Sequence, residues 1–188
     1  MTTAETEARE RALAYFASKS SLAPHDVRQQ IAAAFDSLHA VLGEVGPDRW
    51  SVRPAGDAWS VQEVVDHLLE TFRPGVDELR CVLAGERPSG EPIPAAVQSK
   101  APRLRPWPWL LAELRRTERD VLDLLGGVPV DFAGTARAPI VMVVNVPDAA
   151  PLSWVQDVEW KAYSIVSWRL HTIDHMKQVR RILTALPK

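Results

Sequence analysis

Residues 153–186 read SWVQDVEWKAYSIVSWRLHTIDHMKQVRRILTAL. No glycine or proline interrupts the stretch, and Ser153 with Gln156 has the spacing of a capping box, which predicts one long helix from 153 to about 186. Projected at about 100° per residue, Ser164, Trp168, His171, His175, Gln178 and Ile182 fall in one arc of that helix. Val158, Ile165, Val166, Leu170, Ile173, Met176, Val179 and Leu183 cover so much of the rest that the helix must be largely buried. A polar stripe on a buried helix points chemistry at the interior.

Working back towards the N-terminus, three further helices supply partners. Val27, Ile31, Ala34, Phe35, Leu38, Val41, Leu42 and Val45 recur at spacings of three and four after Pro24, and Gly46 and Pro47 close that helix. Ser60 and Glu63 form a second capping box ahead of Val61, Val64, Val65, Leu68, Leu69 and Phe72. Pro74, which lacks a backbone donor, is expected to kink or interrupt this helix before it resumes and ends at Gly85. Residues 85–106 carry five prolines and no apolar period and read as a connector. A third helix follows from Trp107 to Leu125 and stops at Gly126 and Gly127. Within 127–152, Ile140–Val144 is a β-prone run that allows a short strand inside a long loop. Residues 5–18 read as a short peripheral helix with Leu13, Phe16 and Ala17 on its apolar face. The expected organisation is an N-terminal segment, 1–20, and a bundle domain, 21–188, of the all-α, four-helix class. The connector is long enough for a crossover that lets helices two and three run parallel.

Bulk composition narrows the function. A length of 188 residues suits a single bundle core, and 22 basic against 24 acidic side chains leave no field that would favour nucleic acid or an anionic membrane. A single cysteine, Cys81, excludes an intramolecular disulfide and thiolate-rich metal sites, and it reads as a small buried hydrophobe. The acidic, polar start and the lack of a long apolar run give the expectation of a soluble, cytoplasmic protein.

His171 and His175, at i and i+4, sit one turn apart on the same face, so both imidazoles can reach one metal ion. Taken alone the pair is weak evidence, and two hydrogen-bonded structural histidines are its plainer reading. His67 lies at the edge of the apolar arc of helix two and can point into the bundle from a different helix. Three imidazoles from two helices make a facial set with positions left open for water or substrate. Gln178, one turn beyond His175, can hydrogen-bond a ligand or a metal-bound residue, or simply finish the helix surface. Trp168 can wall a pocket beside the stripe and Trp160 from two turns below, and core packing serves either equally well. Asp66 and Asp174 adjoin ligands in sequence but point about 100° away on a helix, towards solvent. Glu63 could be a fourth ligand or base, although capping is its simpler role. His25 and His39 read as structural or exposed. Arg115, Arg116 and Arg119 could hold an anionic tail, yet interleaved Glu113, Glu118 and Asp120 make a solvated face the default.

The stretch Trp59-Ser60-Val61-Gln62-Glu63-Val64-Val65-Asp66-His67-Leu68 resembles the helix-two signature of the DinB/YfiT-like superfamily of four-helix-bundle metalloproteins. His171-Thr172-Ile173-Asp174-His175-Met176-Lys177-Gln178 resembles its helix-four signature, H-x-x-x-H-x-x-Q, and Trp50-Ser51-Val52-Arg53-Pro54 resembles the entry into helix two. The likeness covers roughly residues 24–186. It implies an up-down-down-up bundle with a long crossover, a divalent ion such as zinc or nickel on His67, His171 and His175, and a homodimer. Some members are enzymes that use a low-molecular-weight thiol, mycothiol or bacillithiol, as S-transferases or as maleylpyruvate isomerase. The connector 85–106 and the run Ile140–Val144 match no motif of the family.

Two functional classes follow. One is a metal-dependent enzyme acting on a small molecule, of the thiol S-transferase type or a hydrolase. The other is a non-catalytic metal- or ligand-binding bundle of the stress-response kind. A scaffold with no metal would require all three histidines to be incidental. A coordination position open to a pocket favours the enzyme, and a fourth protein ligand closing the site favours the structural role.

Overall fold

The computed structural model describes residues 2–56, 58–146 and 149–186. Helix α1 (Thr3–Lys19) opens on a capping box between Thr2 and Glu5 and buries only Ala8 and Phe16, so it lies at the periphery. Leu13, expected on its inner face, is exposed. Helix α2 (Pro24–Gly43) buries the predicted stripe from Val27 to Leu42.

Helix α3 (Val61–Leu83) starts at the Ser60–Glu63 capping box and runs through Pro74 as helix, so of the kink or interruption expected there the interruption does not occur. Its C-terminus closes by a Schellman motif: the N–H of Glu86 donates to the carbonyl of Cys81 at 2.9 Å and that of Gly85 to Val82 at 3.1 Å. Gly85 has φ of 85°, which is why a glycine stands there. Cys81, read as buried, is only partly so.

Helix α4 (Trp107–Gly126) follows the connector. Gln62 donates to the carbonyl of Arg105, Arg73 pairs with Glu113, and His39 meets Glu118. Arg28 of α2 donates to the carbonyl of Leu122 near the end of α4. Helices α3 and α4 therefore run parallel and α2 antiparallel to α4, and the connector must return along α3 as a crossover. Val97 and Ser99 of that crossover bond to His67 and Asp66.

The principal departure is at residues 152–159. They form no helix but strand β2 (Leu152–Glu159), antiparallel to β1 (Arg137–Val144), with Met142 opposite Trp154 and Ala138 opposite Val158. The alternation Leu152, Trp154, Gln156 and Val158 inward against Ser153, Val155 and Asp157 outward is a period of two, and it overrides the Ser153–Gln156 capping spacing. The β-prone run is thus one arm of a hairpin appended to the bundle. The cap of the last helix is Glu159, whose carboxylate accepts from the N–H groups of Lys161 and Ala162. That helix comprises α5 (Trp160–Ser164), a π-helical stretch (Ile165–Leu170) and α6 (His171–Ala185), all in the right-handed helical region. Tyr163 reaches Glu78 and His171 reaches His67, so α3 and the last helix are antiparallel and the order is up-down-down-up.

The core joins the four bundle helices and the hairpin through Phe35, Leu68, Phe72, Leu114, Val158, Trp160 and Trp168. Among the described residues no helix is long and apolar enough to cross a membrane. Leu68 is 0% exposed at the centre of α3, one residue from His67. Leu68→Ala is expected to lower the free energy of unfolding by about 2–5 kcal/mol. The urea midpoint should fall at unchanged slope; a shift below about 1 kcal/mol would mean that the core closes over the lost side chain.

Candidate metal centre

Three imidazoles meet where α3 faces α6. One ring nitrogen from each of His67, His171 and His175 lies within 4.8 Å of the others. Ring centroids are 4.6 Å apart for His67–His175 and for His171–His175, and 5.0 Å for His67–His171. His67 is 0% exposed, whereas His171 and His175 are partly exposed, so the cluster has a closed wall on α3 and an open side on α6.

Two of the three rings have one nitrogen committed to an oxygen. The Nδ1 of His67 lies 2.6 Å from the carbonyl of Val97 in the crossover. The Nδ1 of His175 lies 2.8 Å from Oε1 of Gln178, one turn on. The backbone N–H of His171 goes to the carbonyls of Val166 and Trp168, the pattern of the π-helical stretch that precedes it. Carbonyl oxygens only accept, so the Nδ1 of His67 and that of His175 carry the proton.

Electrostatics fixes the charge state. Burial, then repulsion from His175 and His67, pushes the His171 imidazolium pKa well below its ordinary value. Burial, then His67, lowers His175 to about 4, and burial also lowers His67. All three are neutral at pH 7, and His67 and His175, with Nδ1 on an oxygen, are each left with a bare Nε2 lone pair. The Nε2 atoms of His67 and His171 face each other at 2.9 Å, so the His67 lone pair is aimed at the His171 ring. A divalent ion satisfies that donor set. Zn–N bonds of roughly 2.0–2.1 Å in tetrahedral geometry set nitrogens about 3.3 Å apart, so the His67–His171 pair needs to part by only a few tenths of an ångström.

The nearby carboxylates are engaged elsewhere. Glu63 accepts from the Ser60 N–H and hydroxyl, and its Oε1 pairs closely with Arg53. That guanidinium holds Glu63 down at about 2, so it is a cap and an ion-pair partner. Asp66, expected in solvent, is 0% exposed. Its oxygens take the backbone N–H of Ser99 at 2.9 Å, the Ser99 hydroxyl at 2.8 Å and Arg105 at 3.0 Å. Asp174 is exposed and pairs with Lys177. Among the described residues, the three histidines are the group placed to hold an ion.

Other residues singled out in the sequence are spread around the fold. Trp168 is fully buried and meets Tyr163 edge-on, with its ring also against Gly75. Trp160 packs on Phe132. His25 is exposed beside Asp26. His39 lies 2.5 Å from Glu118, which is buried and so departs from the solvated face expected of it. Arg115, Arg116 and Arg119 are exposed, and Arg116 pairs with Glu113. Missing from the residue-level reading was Trp59, whose ring lies 5.3 Å from that of His67 and walls the cluster. Its place one residue before the helix cap was the available signal. Two large cavities lie apart from the histidines: one of about 520 Å³ at Arg80, Asp120 and Phe132, and one of about 630 Å³ at Glu70, Arg105 and Trp109.

Comparison with known proteins agrees with this architecture. Residues 30–156 match the family model of the DinB superfamily. A solved structure described as "Crystal structure of TT2238, a four-helix bundle protein" superposes with a TM-score of 0.53 at 18% identity, over 84% of this chain and 98% of the other. At that identity the likeness speaks for the fold alone. No match was found among curated proteins.

The depressed basicity of the cluster has a consequence for stability. A histidine whose folded pKa lies below its unfolded value of 6.5 contributes fully above that value, and the contribution is lost as pH falls towards the folded pKa, about 4 for His175. Chelator-treated protein should therefore melt at progressively lower temperature from pH 7 to pH 4. The loss over this window should be smaller in His175→Gln, and parallel melting curves for the two proteins would count against a neutral cluster.

Proposed function

The chain belongs to the DinB superfamily, and on that premise we propose that it is a metal-dependent enzyme whose divalent ion, zinc or nickel, is held by His67, His171 and His175. The observation that carries this proposal is the convergence of one ring nitrogen from each of three neutral histidines, two of them, His67 and His175, on rings whose Nδ1 faces an oxygen. Rings tied in this way present lone pairs without first having to lose a proton at neutral pH. The engagement of Glu63 and Asp66 supports a three-ligand site with an open position over a closed four-ligand one. A divalent ion there supplies Lewis acidity that brings the pKa of a thiol or of water into the neutral range.

Around it, the chain's own side chains have distinct tasks. Val97 and Gln178 fix the rotation and tautomer of His67 and His175, and Trp59 shields the His67 side from water. Substrate enters from the α6 side, where His171 and His175 are partly exposed. The reaction we favour is transfer of a low-molecular-weight thiol, such as mycothiol or bacillithiol, to a small electrophile. It takes place in a cytoplasmic homodimer, consistent with the family resemblance.

Elemental analysis of untagged protein grown with metal supplementation is the test. About one ion per chain is expected in the wild type. It should be lost in His67→Ala, His171→Ala and His175→Ala while far-ultraviolet dichroism stays helical. Folded wild type without metal, or His171→Ala with full stoichiometry and affinity, would overturn the assignment.

A further inference from the structure

Asp66 is a carboxylate with no exposure, in a helix whose neighbouring residue is a candidate ligand, and the centre described above does not use it. A buried charge is tolerated only when paired and hydrogen-bonded, so what Asp66 holds matters. It holds the crossover. Its oxygens take the Ser99 N–H, the Ser99 hydroxyl and one Arg105 nitrogen, and Arg105 reaches Glu70 at 2.6 Å with the same nitrogen. Two residues before Ser99 stands Val97, whose carbonyl lies 2.6 Å from Nδ1 of His67. Asp66 and His67 are adjacent on α3 and point about 100° apart, yet both bond to the same short length of crossover.

We propose that Asp66 is a positioning residue of the histidine centre: by clamping Ser99 it holds the Val97 carbonyl against His67 Nδ1, and so keeps the His67 Nε2 lone pair aimed at His171 and His175. The proposal rests on the three-histidine metal site. It differs from a plain anchoring role because the crossover has other ties to α3. Gln62 donates to the carbonyls of Arg103 and Arg105, and Gln98 donates to the carbonyl of Glu63. If Asp66 only fastened the crossover, cutting one of those ties would affect the histidines as much as cutting Asp66.

Asp66→Asn keeps the shape and removes the charge, turning an N–H group towards Arg105 or Ser99. Removing a partner that orients a ligand typically costs about 10- to 100-fold in metal affinity, and that weakening is the expected result in a chelator competition at pH 7. Gln62→Ala should lower the melting temperature and leave metal affinity within about twofold of wild type, as expected of a tie that does not lead to His67. The second readout needs no metal. A long-range proton–nitrogen NMR spectrum of the stripped protein should show His67 protonated at Nδ1 in wild type and as a mixture of tautomers in Asp66→Asn.

Unchanged affinity together with an unchanged His67 tautomer, beside a lowered melting temperature, would overturn the proposal and leave Asp66 an anchor. If wild type binds no metal, the metal site fails, but the tautomer comparison still decides on Asp66. Should Asp66→Asn not fold, Ser99→Ala removes one of its bonds and is expected to shift both readouts in the same direction by a smaller factor. No shift in either readout would again overturn the proposal.

Discussion

Two neutral histidine side chains from different helices confront each other through their Nε2 atoms at 2.9 Å. Bringing polar rings together between helices costs them much of their hydration. The rest of the molecule supplies what brings the rings together. Leu68, Phe72 and Val64 bury α3 to zero or near-zero exposure, Val179 and Ile182 do the same for α6, and the crossover closes the third side with Val97. Stability gained from the apolar core thus holds together a polar cluster that would not assemble by itself.

The parts of this arrangement that depend on one helix at a time were legible in the sequence. The i, i+4 spacing of His171 and His175 needs only helical geometry, and the Ser60–Glu63 capping box fixes the start of α3 and hence the face on which His67 emerges. Non-local features were not legible. The Val97 carbonyl that sets the His67 tautomer is a backbone group with no identity of its own in the sequence. A π-helical stretch is defined by hydrogen bonds five residues apart, and nothing in Ile165–Leu170 announces one. It also adds a residue to the turn before His171, which an unbroken projection at about 100° per residue does not anticipate.

Two other failures have a common cause. Strand β2 carried its period-two alternation in plain view, but the pairing that makes it a strand is with residues 137–144. Local capping spacing therefore competed without the tertiary partner that decides the outcome. Asp66 was correctly placed pointing away from His67. The error lay in what it points at, because a helix face turned from the bundle axis can meet a returning crossover instead of water.

That crossover is a structural member of the site. Along the first turns of α3, Glu63, Asp66 and Glu70 present three carboxylates, and each is answered from outside the helix, by Arg53 on one side and Arg105 on the other. Lifting the segment around Ser99–Arg105 would leave Asp66 charged, desolvated and unpaired, at a cost on the order of 3–5 kcal/mol for a buried ion stripped of its partner. That cost opposes opening of the crossover. On the proposed function, access then comes from the α6 side, where the two partly exposed histidines lie. The closed wall on α3 and the open side on α6 would divide such a centre into a half that fixes ligands and a half that admits a substrate.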